Sequence, residues 1–272
     1  MLLQAGIENS GFEAQCLVEH IFGIDRVHLI AYGNEEADSN KVKQLFELVQ
    51  RRINHEPLQY ILGQWSFMGF DFKVGAGVLI PRDDTEVVVN LCLDFLSGRQ
   101  SKNVADLCSG SGAIGIAIQK ITNSDVTAVE LDSTAFGYLE QNIKLNNSSV
   151  SAVQDDVLSC YKNFPDNRFD LIVSNPPYIV SDEIQSLQAE VQKEPVMALD
   201  GGNDGFDFYR SIIANWSKKL KAGGALAFEL GENQADTVKA LMSANGFDDF
   251  KVSLDFVGVQ RAIIGILQNN NV

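Results

Sequence analysis

The run Asp106-Leu107-Cys108-Ser109-Gly110-Ser111-Gly112-Ala113-Ile114-Gly115 decides the fold of this chain. It follows an apolar segment that predicts a strand over 103–107, and it opens a helix predicted over 112–121. Glycines at such a turn let the backbone turn tightly and approach a ligand closely. Glu130 lies 20 residues after Gly110, at the end of the next predicted strand, where a carboxylate can accept both hydroxyls of a ribose. The loop and Glu130 together predict a site for an adenosine-containing cofactor.

The glycine spacing by itself fits two cofactors. Gly110-x-Gly112-x-x-Gly115 is also the pattern of dinucleotide-binding proteins. In a nicotinamide enzyme the helix N-terminus meets a pyrophosphate, whereas with S-adenosylmethionine it meets the methionine end of the cofactor. A glycine turn required only for packing is the plain structural alternative.

Strands and helices alternate on both sides of this loop. Strands are predicted at 103–107, 125–130, 150–153, 169–174 and 225–230, and helices at about 112–121, 133–146, 207–220 and 232–245. Such alternation predicts an α/β fold with a parallel sheet and helices on both faces. Two further strands, 250–256 and 262–267, are separated by a short turn and predict an antiparallel hairpin at the sheet edge. The expected fold is the Rossmann-like class I methyltransferase sheet, mostly parallel with an antiparallel C-terminal hairpin.

The region before the sheet has a different character. Apolar residues recur at helical spacing up to about Gly63, with Ser10 and Ser39 as candidate helix caps. Residues 64–80 alternate aromatic with small or polar residues, which predicts a β-hairpin. A helix is predicted from about Asp84 to Leu96. We therefore divide the chain into a small helical domain over 1–63, a β-hairpin linker over 64–85 and a catalytic domain over 86–272.

The tetrapeptide Asn175-Pro176-Pro177-Tyr178 follows the fourth predicted strand of the sheet. Ligands of open α/β sheets bind at the carboxyl ends of the strands, so this segment is expected beside the reactive end of the cofactor. A planar amide or amine nitrogen is a poor nucleophile, because its lone pair is delocalised. The side-chain oxygen of Asn175 and the carbonyl of Pro176 can accept hydrogen bonds from the NH2 group of such a substrate. The two prolines stiffen the loop, and Tyr178 can stack on a flat group. The tetrapeptide predicts methyl transfer to such a nitrogen and disfavours a dehydrogenase.

A second acidic pair follows the third predicted strand. Asp155-Asp156-Val157 stands where a carboxylate can bind an adenine amine and the next side chain can pack on the ring. Capping of a helix by an aspartate explains the same residues equally well.

Composition excludes several classes of protein. The formal charge is −15 and no region is basic, which disfavours direct nucleic-acid binding. No apolar run is long enough to span a bilayer, and no signal pattern begins the chain, so a soluble cytoplasmic protein is expected. The four cysteines are widely spaced and the three histidines all lie before residue 56, so no metal site is predicted.

Several segments of the chain resemble the release factor glutamine methyltransferases (the PrmC/HemK family). The matching segments are Glu56–Gly63, Val78–Arg82, Asp106–Gly115, Ser174–Ile179, Glu194-Pro195 and Ala198–Gly205. The likeness covers nearly the whole chain. Amino-methyltransferases that act on adenine in RNA or DNA carry a similar tetrapeptide, and they are the alternative.

The resemblance implies a specific reaction and a specific site. Enzymes of this family use S-adenosylmethionine, releasing S-adenosylhomocysteine, to methylate the side-chain amide of the glutamine in the Gly-Gly-Gln tripeptide of peptide chain release factors. The implied cofactor positions are Cys108, Ser109, Gly110, Ser111, Gly112, Glu130, Asp156, Val157 and Asn175. Asn175, Pro176, Pro177 and Tyr178 match the glutamine-binding tetrapeptide, and the N-terminal helices match the part that docks the release factor.

Three positions depart from the family pattern. The family often has glycine where this chain has Cys108, aspartate where it has Glu130, and an aromatic residue where it has Val157. Glu130 keeps the carboxylate, whereas Cys108 adds a side chain to the glycine loop.

Overall fold

The computed structural model describes residues 1–100 and 102–268. Four helices form the N-terminal region: α1 (Ser10–Phe22), α2 (Arg26–Tyr32), α3 (Ser39–Ile53) and α4 (Leu58–Leu62). Their small core contains Leu2, Ile7, Leu17, Leu58 and Ile61. The hairpin of β1 (Gln64–Phe67) and β2 (Phe70–Lys73) follows, and then α5 (Thr85–Leu96).

Helix caps in the N-terminal region differ from the sequence prediction. The side chain of Asp38, not Ser39, accepts hydrogen bonds from the first backbone amides of α3, and Asn9 precedes α1 without a side-chain cap. Asp and Ser are nearly equivalent caps, so the choice between adjacent residues depends on where the backbone leaves the helix. The hairpin ends at Lys73, whereas the sequence predicted it over residues 64–80.

Strands and helices largely alternate in the region after α5. Its elements are β3 (Asn103–Leu107), α6 (Ala113–Thr122), β4 (Asp125–Glu130), α7 (Ser133–Leu145), β5 (Ser151–Gln154), β6 (Phe169–Ser174), α8 (Asp207–Trp216), β7 (Leu220–Glu229), α9 (Ala235–Ala244), β8 (Phe247–Leu254) and β9 (Gln260–Leu267). The sheet order is β5-β4-β3-β6-β7-β9-β8. The first five of these are parallel, and β9 runs antiparallel to both β7 and β8. The predicted fold class is confirmed.

Several predicted boundaries in this region were wrong. Helix α9 begins at Ala235 rather than at 232, and β8 spans Phe247–Leu254 rather than 250–256. The helix predicted to reach residue 220 ends at Trp216, and β7 begins at Leu220, five residues before the predicted start. Gly223 and Gly224 lie inside β7. Because glycine is disfavoured in strands, these two residues hid the start of the strand from sequence analysis.

The parallel strands are buried on both faces, which explains their apolar sequences. Alternate residues enter opposite cores: Val104 packs with α5 and α6, whereas Ala105 packs with α8 and α9. Every residue of β6 is buried. In the part of the chain that the structure describes, none of the helices has the length and apolar character that spanning a bilayer requires.

A buried carboxyl group lies at the carboxyl end of β3. Asp106 is fully buried, and its Oδ2 accepts a hydrogen bond of 2.8 Å from the backbone amide of Gly115 in α6. Its Oδ1 is buried with no hydrogen-bond partner among the described residues. Burial raises the pKa of Asp106 from 3.8 to about 7.

This pKa predicts a pH dependence of folding stability. Between the two pKa values the folded chain binds a proton that the unfolded chain releases, so the free energy of unfolding should fall as the pH rises from about 4 to about 7. In Asp106→Asn the free energy of unfolding should fall less over this pH range. The difference from wild type should be roughly 1.4 kcal/mol for each unit by which burial raises the pKa of Asp106. Urea unfolding across this pH range measures it, with the exposed Asp236→Asn as control. Parallel curves for wild type and Asp106→Asn would contradict the prediction.

Candidate active site

A cavity of about 290 Å³ opens at the carboxyl edge of the parallel strands. Residues after β3, β4, β5 and β6 form one side of it, and the segments 77–85 and 195–198 with Phe208 form the other. Ligand pockets in enzymes are commonly a few hundred Å³ in volume. The cavity joins most of the site residues that the sequence predicted, namely Cys108, Ser109, Gly110, Ser111, Glu130, Asp156, Val157, Asn175 and Pro177.

The glycine loop is shaped by left-handed backbone at several positions. Cys108 has φ +58° and Gly110 has φ +54°. The Ser109 amide donates to the Val129 carbonyl at 3.0 Å, which ties the loop to β4. The Ser109 Oγ is buried with no hydrogen-bond partner among the described residues, although Ser109 lines the cavity. An unpartnered buried hydroxyl at a cavity wall is suited to a polar ligand group.

Gly112 does not line the cavity, unlike its neighbours. It precedes α6 with φ +82°, and a Cβ at this position would collide with the side chain of Leu139 in α7. The structure therefore places Gly112 at a helix-packing contact.

Glu130 ends β4 and is almost completely buried. Its Oε2 accepts a hydrogen bond from the Gly110 amide at 2.7 Å, and its Oε1 accepts one from the Asp132 amide at 2.8 Å. Each carboxylate oxygen has a second acceptor site, so both can still receive a ligand hydroxyl. Burial raises the pKa of Glu130, while these backbone donors oppose the rise.

The segment after β5 caps a turn and also lines the cavity. The Asp156 carboxylate accepts a hydrogen bond from the Leu158 amide at 2.8 Å, as a turn-capping aspartate does, and Asp156 also lines the cavity. Val157 is buried at the cavity wall, and its carbonyl accepts a hydrogen bond from Trp216 Nε1. Leu131 and Leu158 line the same wall although each is more than two-fifths exposed. Sequence analysis missed both, and an apolar residue directly after a strand-end carboxylate could have indicated Leu131.

The tetrapeptide lies beside the glycine loop because β6 pairs with β3. Ser174 pairs with Leu107, and its hydroxyl donates to the Leu107 carbonyl at 2.7 Å. Asn175 and Pro177 line the cavity, whereas Pro176 and Tyr178 do not. The Asn175 Nδ2 donates a long hydrogen bond of 3.5 Å to Thr85 Oγ1, and the Tyr178 hydroxyl donates to Glu229 Oε1 at 3.2 Å. Tyr178 thus lies behind the cavity wall.

A buried ion pair joins the two segments of the opposite wall. Glu194 is buried and forms an ion pair with Arg82, and its Oε2 accepts a hydrogen bond of 2.9 Å from the Ile80 amide. Pro195 and Met197 line the cavity directly after it. Burial raises the pKa of Glu194, and Arg82 opposes the rise. The ion pair therefore fixes the linker to residues 179–206, the segment between the tetrapeptide and α8, which we call the insertion.

Comparison with known proteins identifies the family. The model of the PrmC N-terminal domain matches residues 1–63, and that of the methyltransferase small domain matches residues 72–203. The release factor glutamine methyltransferase of Geobacter sulfurreducens is 39% identical over 97% of this chain and 92% of its own length. This chain belongs to the release factor glutamine methyltransferases. The family member of Clostridium acetobutylicum is 35% identical over 93% of this chain and 90% of its own.

Solved structures support the fold of this release factor glutamine methyltransferase family member. The catalytic domain of hMettl16, crystallised with the MAT2A 3'UTR hairpin 6, matches with a TM-score of 0.62 and 14% identity over 80% of this chain and 84% of that one. A methyltransferase from Pyrococcus furiosus matches with a TM-score of 0.52 and 19% identity over 84% of this chain and 99% of that one. Family and fold together imply S-adenosylmethionine as cofactor.

The backbone at Cys108 predicts an unusual ranking of substitutions. A residue with a Cβ is strained at φ +58°, by roughly 1–2 kcal/mol, so Cys108→Gly should be more stable than Cys108→Ala by about 1 kcal/mol. Cys92 is buried within α5, where glycine is worse than alanine by roughly 0.5–1 kcal/mol. The order should therefore be reversed at Cys92, which serves as the matched control. Urea unfolding of the four variants tests this, and the same order at both sites would contradict it.

Proposed function

We propose that this protein transfers a methyl group from S-adenosylmethionine to the side-chain amide nitrogen of the glutamine in the Gly-Gly-Gln tripeptide of peptide chain release factors. One observation carries the proposal: Asn175 and Pro177 line the same cavity as Gly110 and Glu130, in a chain of this family. The same cavity therefore holds a hydrogen-bond acceptor for an NH2 group and the residues suited to an adenosine-containing cofactor.

The cavity residues fit S-adenosylmethionine. The glycine loop brings backbone and the unpartnered Ser109 Oγ to the wall, and Glu130 adds a carboxylate for the ribose hydroxyls. Leu131, Val157 and Leu158 supply apolar surface for the adenine ring. We assign cofactor binding to Cys108, Ser109, Gly110, Ser111, Glu130, Asp156, Val157 and Asn175, with Gly112 supporting the loop through helix packing. Bound there, the cofactor supplies an electrophilic methyl group and leaves as S-adenosylhomocysteine.

The tetrapeptide orients the amide nitrogen. The Nδ2 of Asn175 is directed to Thr85, so the Oδ1 of the same planar amide remains available to accept a hydrogen bond from the substrate NH2. The Pro176 carbonyl is the second acceptor, and the fixed φ of Pro176 and Pro177 keeps it in place. Held by these two acceptors, the amide nitrogen would present its lone pair to the methyl group that the bound cofactor supplies, and the proton that it gives up on methylation would pass to water. Tyr178 sets the shape of the loop from behind, and the rate comes from positioning.

We assign docking of the release factor to the helical domain 1–63. Val27 and Ile30 in α2 are about three-quarters exposed, which suits a surface that a protein partner covers. Arg52 of α3 joins this domain to the insertion through Glu190 at 2.9 Å. The same insertion lines the cavity at Pro195 and Met197, so it connects the helical domain to the candidate site.

Substitution of Asn175 tests the assignment of roles. Asn175→Ala should lower turnover on the order of 100-fold, because an acceptor for the reacting group is lost, while the affinity for S-adenosylhomocysteine should change much less. Mass spectrometry of a release factor incubated with enzyme and S-adenosylmethionine measures methylation of the Gly-Gly-Gln glutamine. Asn215→Ala is the control, since Asn215 bonds only within α8. An unmodified release factor together with methylated adenine in added RNA would overturn the proposed substrate.

Titration of Glu130 tests its assignment to the ribose. A carboxylate accepts hydrogen bonds from the two ribose hydroxyls, whereas a carboxylic acid accepts them poorly. The affinity for S-adenosylhomocysteine should therefore fall as the pH is lowered through the raised pKa of Glu130. Glu130→Gln should weaken binding at neutral pH by about 10- to 100-fold, since such bonds contribute roughly 1.5–3 kcal/mol, and should flatten the pH dependence. Calorimetry checks both, with the exposed Glu140→Gln as control. A Glu130→Gln variant with wild-type pH dependence would refute the role.

A further inference from the structure

The segment after β7 encloses Tyr178 from behind the cavity. It reads Glu229-Leu230-Gly231-Glu232-Asn233-Gln234 and leads from the last residue of β7 to the start of α9. Phe228 pairs with Ser174 in the sheet, so Glu229 lies level with the tetrapeptide on the neighbouring strand. Glu229 and Gln234 are both buried. We call these two residues the Tyr178 clamp.

Glu229 holds the side chain of Tyr178. Its Oε1 accepts the hydrogen bond of the Tyr178 hydroxyl at 3.2 Å, while its Oε2 is buried with no hydrogen-bond partner among the described residues. Burial raises the pKa of Glu229 to about 7, and the nearby hydroxyl of Thr85 opposes the rise. Thr85 also receives the hydrogen bond of Asn175. The tetrapeptide is thus bonded to Glu229 at its Tyr178 end and to Thr85 at its Asn175 end.

Gln234 holds the backbone of Tyr178. Its Nε2 donates to the Tyr178 carbonyl at 3.0 Å and to the Gly205 carbonyl at 3.4 Å. Its Oε1 accepts from the Gly231 amide at 2.9 Å. The same Oε1 lies 3.1 Å from the Tyr209 hydroxyl, whose single proton also faces the nearer Glu229 carbonyl at 2.8 Å. The Gln234 carboxamide therefore uses both of its N–H donors and its carbonyl oxygen, and a leucine of similar size would lose every one of these bonds.

Gly201 of the insertion packs against the backbone of Tyr178. A Cβ at Gly201 would lie 2.6 Å from the Tyr178 Cα and 2.8 Å from its carbonyl carbon, so only glycine allows the two backbones to approach this closely. The Ile179 carbonyl accepts a hydrogen bond from the Gly201 amide at 2.8 Å. Tyr178 is therefore fixed through its hydroxyl, its carbonyl and its packed backbone.

We propose that Glu229 and Gln234 are positioning residues for methyl transfer, which hold Tyr178 and thereby keep Asn175 and Pro176 at the geometry that the substrate amide requires. The inference rests on the proposed function. Neither residue lines the cavity, so both act through the tetrapeptide. Loss of the clamp should lower kcat and leave cofactor affinity nearly unchanged, because the glycine loop and Glu130 have their own supports.

The test compares Glu229→Leu, Glu229→Gln, Gln234→Leu and Gln234→Glu in the full chain. Small displacements at a reacting centre lower the rate by up to about 100-fold. The two leucine variants and Gln234→Glu should therefore lose at least about tenfold in kcat. Their affinity for S-adenosylhomocysteine should stay within about threefold of the wild-type value. Glu229→Gln keeps an acceptor for Tyr178 and should retain most of the wild-type kcat.

Gln119→Leu is the matched control for Gln234→Leu. Gln119 is a buried glutamine in α6 that accepts the hydrogen bond of Ser148 Oγ at 2.8 Å, away from the tetrapeptide. Loss of this hydrogen bond in Gln119→Leu should lower the Tm of the protein without lowering kcat. Amide hydrogen exchange of the peptide 174–179 gives a readout that does not depend on activity. Exchange there should accelerate in Gln234→Leu and remain at the wild-type rate in Gln119→Leu.

The outcomes separate the two proposals. Wild-type enzyme that leaves a release factor unmodified would overturn the proposed function and the catalytic role of the clamp, while exchange at 174–179 would still show whether the clamp holds Tyr178. Active wild-type enzyme with unchanged kcat or unchanged exchange in Gln234→Leu would overturn the clamp alone. Equal loss of kcat in Gln119→Leu, or failure of Glu229→Gln to restore activity, would also overturn it.

Discussion

The parallel pairing of β3 with β6 is the contact on which the candidate site depends. Leu107 and Ser174 are partners at the carboxyl ends of these two strands, and the Ser174 hydroxyl bonds to the Leu107 carbonyl at 2.7 Å. The glycine loop leaves one strand and the tetrapeptide leaves the other at the same level. A shift of this register by one residue would exchange the two faces of the strand and separate the loop from Asn175.

Four buried carboxyl groups lie around this edge, and each accepts a hydrogen bond from a neighbouring segment of the chain. Asp106 bonds to α6, Glu130 to the glycine loop, Glu194 to the linker and Arg82, and Glu229 to Tyr178. Burial of a carboxylate is costly, and its donors offset only part of that cost. Each of these hydrogen bonds nonetheless ties two segments of the site to each other. The site is therefore built at the expense of some folding stability.

Sequence analysis succeeded where a residue's own neighbours along the chain specify its place. The apolar periods predicted the strands of the sheet, and the glycine loop with Glu130 twenty residues later predicted one end of the cavity. It failed for residues that reach the site from elsewhere. Thr85, Met197 and Phe208 line the cavity from the start of α5, the insertion and α8, and nothing in their local sequence distinguishes them from ordinary packing or surface residues.

The sequence by itself determined the fold class, and it predicted that the glycine loop and the tetrapeptide meet at one edge of the sheet, because hydrophobic period and turn chemistry are local properties of the chain. Only the tertiary structure decided how these parts are used. It placed Gly112 at a packing contact and Tyr178 behind the wall, and it brought Glu229 and Gln234 around the tetrapeptide from more than fifty residues away. Hydrogen bonds between distant segments leave no periodic trace in a sequence, so their partners are fixed only when the sheet has formed.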